Sequence, residues 1–339
     1  MRFQPLKRAL GVKNIEECIM SLTGFISMPD VRAKITPLRP KMPRKIDAPL
    51  RVEPRSSHYM VVGTAFDYLL RFELKRCAPH AVAERWVAEY APDIIWRERE
   101  GMESCLDLLS IEDMDEEKLL SIPGRETYDE LDLAKEVSGH ARSVVEKARL
   151  AVAAYLQNKS PTRSDQAALA AHAIRLAKLD EMYRALQLDP SFEDADQWDV
   201  EDMLDMLAIV PTDPLIDSKL MLLNPTFGES SRLVGGADTD LIAGDMIVDF
   251  KTTKRGEMRA KELDQLLGYF FLARNQRRMD SSFPEIKRLA LYFCRHGHLW
   301  ALDTTTWMDH PEFAEIETWF FKRANKVHEA SKLRQRKRE

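Results

Sequence analysis

The stretch VGGADTDLIAGDMIVDFKTTKRG, residues 234–256, sets four aspartates and two lysines into what otherwise reads as two short β-strands, 231–242 and 246–252. Aspartate fits a pleated strand poorly, and like charges facing each other across a ladder repel. Such a pattern costs stability, so it constrains both the fold and the use of the segment. Gly244–Asp245 reads as a two-residue hairpin turn. Centring the hairpin there pairs Ala243 with Met246, Ile242 with Ile247, Asp240 with Asp249 and Asp238 with Lys251. Side chains alternate along a strand, which places these four polar residues on one face and Leu241, Val248 and Phe250 on the other. The register requires an even turn, because one residue more would send Asp240 to the opposite face.

Directly opposed residues on one face have Cβ atoms roughly 5 Å apart. Two carboxylates at that spacing are relieved by a cation, and a hard divalent ion, Mg²⁺ or Mn²⁺, takes oxygen ligands of this kind. Lys251 brings an ammonium to the same face. Together these groups suit phosphodiester hydrolysis. The metal polarises the phosphate and acidifies a bound water, while the ammonium orients that water or stabilises developing charge. The plain alternative is a solvated surface hairpin in which Lys251 pairs with Asp238.

The chain has 339 residues, 45% hydrophobic and 31% charged, enough for one large domain or two smaller ones. Its formal net charge of −5 carries no global signal for nucleic acid, yet residues 1–55 and the tail KLRQRKRE are basic and permit a local polyanion surface. Cys18, Cys77, Cys105 and Cys294 lie far apart with no CxxC pair. That argues against a disulfide framework, a zinc ribbon or an iron–sulfur cluster, and fits a reducing compartment. No run approaches the roughly 18 uncharged apolar residues of a membrane span, so the expectation is a soluble cytoplasmic protein without membrane contact.

Residues 1–55, with six prolines from Pro29 to Pro54, read as an irregular basic arm. Residues 56–79 contain a helix over 63–76, and 80–208 read as an almost wholly helical insertion with apolar residues at three- and four-residue spacing. Residues 209–339 carry the hairpin, a helix KELDQLLGYFFLARNQ, strands in IKRLALYFCR and LWALDT joined at HGH, and a final helix from near Pro311. The expected class is α/β: a small mixed sheet flanked by helices, interrupted by a large helical insertion.

These residues resemble the PD-(D/E)xK nuclease superfamily, in particular its RecB-like branch of recombination, CRISPR-adaptation and phage nucleases. That branch shows a helix with GxxxH, a strand with GxxD followed by apolar residues, a strand with (D/E)xK and a helix with QxxxY. The chain offers GGADTDLI, then IVDFKTT with Asp249 and Lys251, then QLLGY with Gln265 and Tyr269. Gly63 fits the first motif, but Asp67 stands where the family has His. By count the GxxD acid is Asp238, whereas the apolar pair follows Asp240; the hairpin register puts Asp240 first and keeps Asp238 as its alternative. On the fourth-motif helix Leu263, Leu266, Leu267 and Phe270 form an apolar stripe, leaving Gln265 and Tyr269 on the opposite side to face a cleft.

The resemblance spans 60–76 and 230–305, and it implies a restriction-endonuclease-like core and metal-dependent cleavage of nucleic acid, DNA ahead of RNA. In that scheme Asp67, Asp240 (or Asp238), Asp249 and the backbone carbonyl of Phe250 hold Mg²⁺ or Mn²⁺. Lys251 positions or activates water, and Gln265 and Tyr269 orient Lys251 or the substrate backbone. A helicase or other protein partner through the 80–208 insertion is a further expectation. The rival readings are a catalytically silent nuclease-fold subunit that binds DNA or a helicase, and an interaction protein whose business is the insertion. Three lesser signals stand beside these. CRHGH sets Cys294, His296 and His298 at zinc-like spacing, though on a strand–turn–strand with only three ligands. Trp300, Trp307 and Trp319 are read as packing against the sheet ahead of stacking on bases. Glu73, in the apolar stripe of Phe66, Leu69 and Leu70, is read at the helix edge ahead of a buried acid near the site.

Overall fold

The computed structural model describes residues 21–42, 44–96, 130–185, 188–211, 213–216 and 218–336. The described chain divides into two units. One comprises the described parts of Pro54–Arg76 and Arg85–Ala208; the other comprises those of Ile15–Glu53, Cys77–Glu84 and Ile209–Glu339. The chain therefore enters the second unit three times.

In chain order the main helices are α1 (Leu22–Ser27), α2 (Pro29–Ile35), α3 (Tyr59–Cys77), α4 (Ala91–Trp96), α5 (Glu130–Gln157), α6 (Arg163–Ala185), α7 (Gln197–Leu207), α8 (Gly228–Leu233), α9 (Ala260–Met279) and α10 (Phe313–Arg336). The strands are β1 (Val82–Ala83), β2 (Met221–Leu223), β3 (Leu241–Ala243), β4 (Met246–Lys251), β5 (Arg288–Phe293) and β6 (His298–Asp303).

The first unit is helical and contains α3 to α7. Its apolar residues follow the helical period: Val62, Phe66, Leu69 and Leu70 on α3, Ala141, Val144 and Ala148 on α5, and Ala173, Ile174 and Leu176 on α6 are all buried. Asp196 caps α7 by accepting the Trp198 N–H at 2.7 Å, one of the donors a helix start leaves unmatched. The helix expected over 63–76 belongs to this unit, together with the segment read as an insertion. Residues 97–129 lie outside the described residues.

The second unit holds a six-stranded mixed sheet in the order β1-β2-β3-β4-β5-β6, flanked by helices. The β1–β2 and β4–β5 pairs are parallel and the rest antiparallel. β4 and β5 are central strands, and their sequences MIVDFK and RLALYF are near-continuous apolar runs, as strands covered on both faces require. α9 makes the long crossover that a parallel β4–β5 pair needs. One face, carrying Ile247, Leu289, Leu291 and Phe293, joins a core with Leu22 and Phe25 of α1, Leu266 and Phe270 of α9, and Ile316 and Phe320 of α10. Phe25 meets Phe320 edge-on at 5.0 Å, and each such ring withdrawn from water contributes about 1.5–3 kcal/mol. α1 approaches α9 at Gly268, where a Cβ would stand 2.9 Å from Leu22 Cδ1.

Three expectations need correction. Residues 22–38 are not an irregular arm but two helices and a 3₁₀ turn whose Leu22, Phe25, Ile26, Val31, Ile35 and Leu38 are buried in the sheet's core; residues 1–20 lie outside the described residues. Pro29 starts α2, a position where its missing N–H is harmless. The β-run expected over 231–242 is helix α8 and loop up to a strand of only three residues, Leu241–Ala243. The stretch read as one helical insertion from 80 is not all in the helical unit, since Val82–Ala83 lies in the sheet unit as the edge strand beside β2.

Candidate active site

The hairpin forms with the expected turn. Gly244 has φ +63°, the positive value that a glycine at the first central position allows, and Ala243, Ile242 and Leu241 face Met246, Ile247 and Val248. The ladder then stops one pair short of Asp240 and Asp249. Instead of continuing β3, Asp240 turns its carboxylate across the gap, where Oδ2 accepts the Phe250 N–H at 2.5 Å. Its own carbonyl accepts the Asn224 N–H at 2.9 Å, from a residue held at φ +53°. In an extended strand a residue's N–H and C=O leave on the same side, so the Phe250 carbonyl also points to the side where β3 has ended. Asp238 is not opposite Lys251; it bridges antiparallel to Thr226.

Asp249 lies on β4 opposite Leu291, only 4% exposed. Its Oδ2 is wholly buried, forms a close ion pair with Lys251 Nζ and accepts no hydrogen bond of normal geometry. Lys251 Nζ also donates to Gln265 Oε1 at 3.2 Å, and Gln265 Nε2 donates to the Tyr269 hydroxyl at 2.7 Å. Asp249, Lys251, Gln265 and Tyr269 thus form one continuous polar chain from β4 to α9.

Tyr269 is not on a solvent-facing side of its helix. It is 5% exposed and stacks on Phe227 at 5.5 Å, because α9 is buried nearly all round rather than along one stripe. Sequence reading passed over two further acids of α9. Glu262, buried at the third helical position, takes the N–H of Arg259 at 2.8 Å and its guanidinium at 2.9 Å; the three-residue spacing of a capping box was the available signal. Asp264 is held bidentately by Arg39 at 2.6 Å to each oxygen.

Acids outnumber bases around Lys251. Burial pushes the Asp249 carboxyl up, only partly relieved by Lys251, with Glu262 and Asp238 adding to the rise. Burial pulls the Lys251 ammonium down, but Asp249, then Asp240 and Glu262, more than offset it, so it is held above its ordinary value and stays charged. The Tyr269 hydroxyl is pushed well up by burial and then by Asp249, Asp240 and Asp238, so it remains protonated.

Among the described residues no three His, Cys, Asp or Glu side chains group to hold a metal ion. The oxygen donors at the end of β3 and on β4 are nevertheless of the kind a hard cation takes. Mg²⁺ is held by one or two carboxylates together with waters and substrate phosphates, not by an all-protein cage. The buried Asp249 oxygen, the Asp240 carboxylate and the Phe250 carbonyl are of that kind.

The remaining expected residues are placed as follows. Asp67 is on α3 in the helical unit, where the Arg71 guanidinium binds it at 2.5 Å. Glu73, in the same unit, is buried rather than at a helix edge; Arg76 binds it at 2.6 and 2.9 Å and the Tyr155 hydroxyl donates to it at 2.7 Å. Cys294 and His296 are buried in the turn between β5 and β6, with His298 starting β6. Trp307 is fully buried in the sheet's core, and Trp300 and Trp319 pack against it. No helix among the described residues is long and apolar enough to cross a membrane. No family model, no curated protein and no solved structure matches the chain.

Proposed function

We propose that this protein is a metal-dependent nuclease of the PD-(D/E)xK type, hydrolysing phosphodiester bonds in nucleic acid, DNA ahead of RNA. The observation that carries the reading is the buried Asp249–Lys251 pair, tied to Gln265 and Tyr269 and flanked across the hairpin by Asp240. Asp240, Asp249 and the Phe250 carbonyl are the proposed ligands of Mg²⁺ or Mn²⁺, with Asp238 as the alternative to Asp240. A cation bound there supplies Lewis-acid polarisation of the phosphate and a more acidic water.

The protein's own groups do the rest. Lys251, kept charged by its acidic neighbours, stabilises negative charge growing on the phosphate oxygens and orients the water. Gln265 fixes the ammonium through its oxygen, and Tyr269, by accepting from the Gln265 amide, sets which way that amide faces. The water oxygen forms the new bond to phosphorus, and the bridging oxygen leaves and takes up a proton.

A second reading, a silent nuclease-fold subunit that binds DNA or a helicase, draws support from one observation: Asp240 and Asp249 are already engaged, by the Phe250 N–H and by Lys251. Labelled linear and circular DNA, single- and double-stranded, incubated with Mg²⁺, Mn²⁺ or EDTA separates the two. Cleavage that needs metal and vanishes in Lys251→Ala is expected. Binding without cleavage under every condition would leave the silent subunit.

A further inference from the structure

We infer that the loop joining β4 to α9, together with the strap at 44–52 laid against it, is a binding surface for the phosphate backbone of a nucleic-acid strand entering the site. The inference rests on the nuclease reading for its choice of polyanion. Lys45 pairs antiparallel with Glu257, the Ile46 N–H donates to Gly256 O at 2.9 Å, and the Met258 N–H donates to Arg44 O at 2.9 Å. Gly256 lets the two segments meet, since a Cβ there would lie 2.8 Å from Ile46 Cγ1 and 3.1 Å from His296 Nε2. Arg295, 1% exposed, staples the far end: its Nε donates to Thr252 O at 2.8 Å, and its carbonyl accepts the Arg51 and Val52 N–H groups at 3.0 Å.

This fixed scaffold presents Arg44, Lys45, Lys254, Arg255, Arg259 and Lys261, all exposed, against only Asp47, Glu53 and Glu257. Two of the cations are matched, Lys254 by Glu53 at 2.7 Å and Arg259 by Glu262 at 2.9 Å. Arg44, Lys45, Arg255 and Lys261 carry no ion pair among the described residues. On a chain with net charge −5 this is a local reversal of sign. It falls on the connection between the strand bearing Asp249 and Lys251 and the helix bearing Gln265. Unmatched cations on a rigid frame give sequence-independent binding through counterion release.

The test titrates labelled single- and double-stranded DNA into the full-length protein in EDTA, so that binding is read without cleavage, from about 50 to about 200 mM salt. The variants are K45E/R255E/K261E and the charge-keeping K45R/K261R. The wild type is expected to weaken with salt. The reversal variant should bind about tenfold or more weakly with a salt slope shallower by about 2–3, and the arginine variant should match the wild type. If circular dichroism shows the reversal variant unfolded, K45A and K261A replace it, each expected to lower the slope by about 1. Unchanged affinity and slope in folded variants, or a wild type that binds neither DNA, overturns the inference. Cleavage, measured separately with Mg²⁺, reports on the nuclease reading. Binding that depends on these cations in a protein that never cleaves sustains the surface and sinks the nuclease, and cleavage with indifferent variants does the reverse.

Discussion

In the helical unit Glu73 takes two bonds from Arg76 and one from Tyr155, and Asp180, 1% exposed, takes one from Arg184 at 2.6 Å and one from Tyr68 at 3.1 Å. Both acids have partners of their own, one on the same helix and one on a facing helix. In the sheet unit Asp264 follows the same habit with Arg39, but Asp249 does not. It shares Lys251 with Asp240 and Glu262, and its inner oxygen accepts no well-aligned hydrogen bond. Matched burial serves stability; unmatched burial costs it, and is expected where charge is to be recruited from outside.

The contrast can be broken by substitution. Asp249→Asn or Lys251→Ala should lower metal-dependent cleavage by about 10²–10³-fold or more. Lys251→Ala should also destabilise the EDTA-treated protein by about 3 kcal/mol, since it strips a buried carboxylate of its nearest cation. Mg²⁺ should return part of that loss, read as a rise in Tm. An unchanged Tm and an unchanged rate would erase the difference between the two kinds of acid. Arg76→Ala, the counterpart in the helical unit, should cost about 2–3 kcal/mol of stability while leaving the rate per folded molecule alone; denaturant melts and active-fraction titration separate these effects. Gln265→Ala should slow cleavage about tenfold, a lost hydrogen bond to a charged group being worth roughly that, with KM little changed because the residue acts through Lys251. Asp67→Asn should leave the rate within about twofold, while loosening its ion pair with the buried Arg71 should cost about 1–3 kcal/mol in stability. A hundredfold fall in rate with normal folding would instead add Asp67 to the ligand set.

The parts that local chemistry dictates were legible in the sequence. Gly244–Asp245 set the hairpin register, the 3.6-residue period marked α5, α6 and α7, and the apolar run of β5 with its Gly297 turn marked the last hairpin. What escaped was decided elsewhere in the chain. α8 is held by Ser231, whose hydroxyl accepts the Phe227 N–H and donates to Ala237 O, a closure that periodicity does not reveal. β1 and β2 are too short to show a period at all. Pro29 and Pro37 read as breakers in sequence, yet each stands at the start of a helical turn. The burial of Tyr269 depends on Phe227, more than forty residues away in the chain, so the pattern of α9 alone does not show that the side Tyr269 shares with Gln265 is covered. In the site, the order Asp240, Asp249, Lys251, Gln265 was readable; the Asp240 contact to Phe250 and the role of Glu262 were not.

The sheet unit's three visits by the chain set a timetable. Among the described elements, synthesis delivers α1 and the strap, then α3 of the helical unit, then β1, then the rest of the helical unit, and only afterwards β2 to β6. The helical unit is complete once Ala208 has emerged, whereas the sheet must wait until β6 is made at 298–303. Domains fold as they leave the ribosome, so the polar chain from Asp249 to Tyr269 can form only after the helical unit is complete. Until then a nascent chain carries its basic strap without the acidic hairpin that follows it by about two hundred residues.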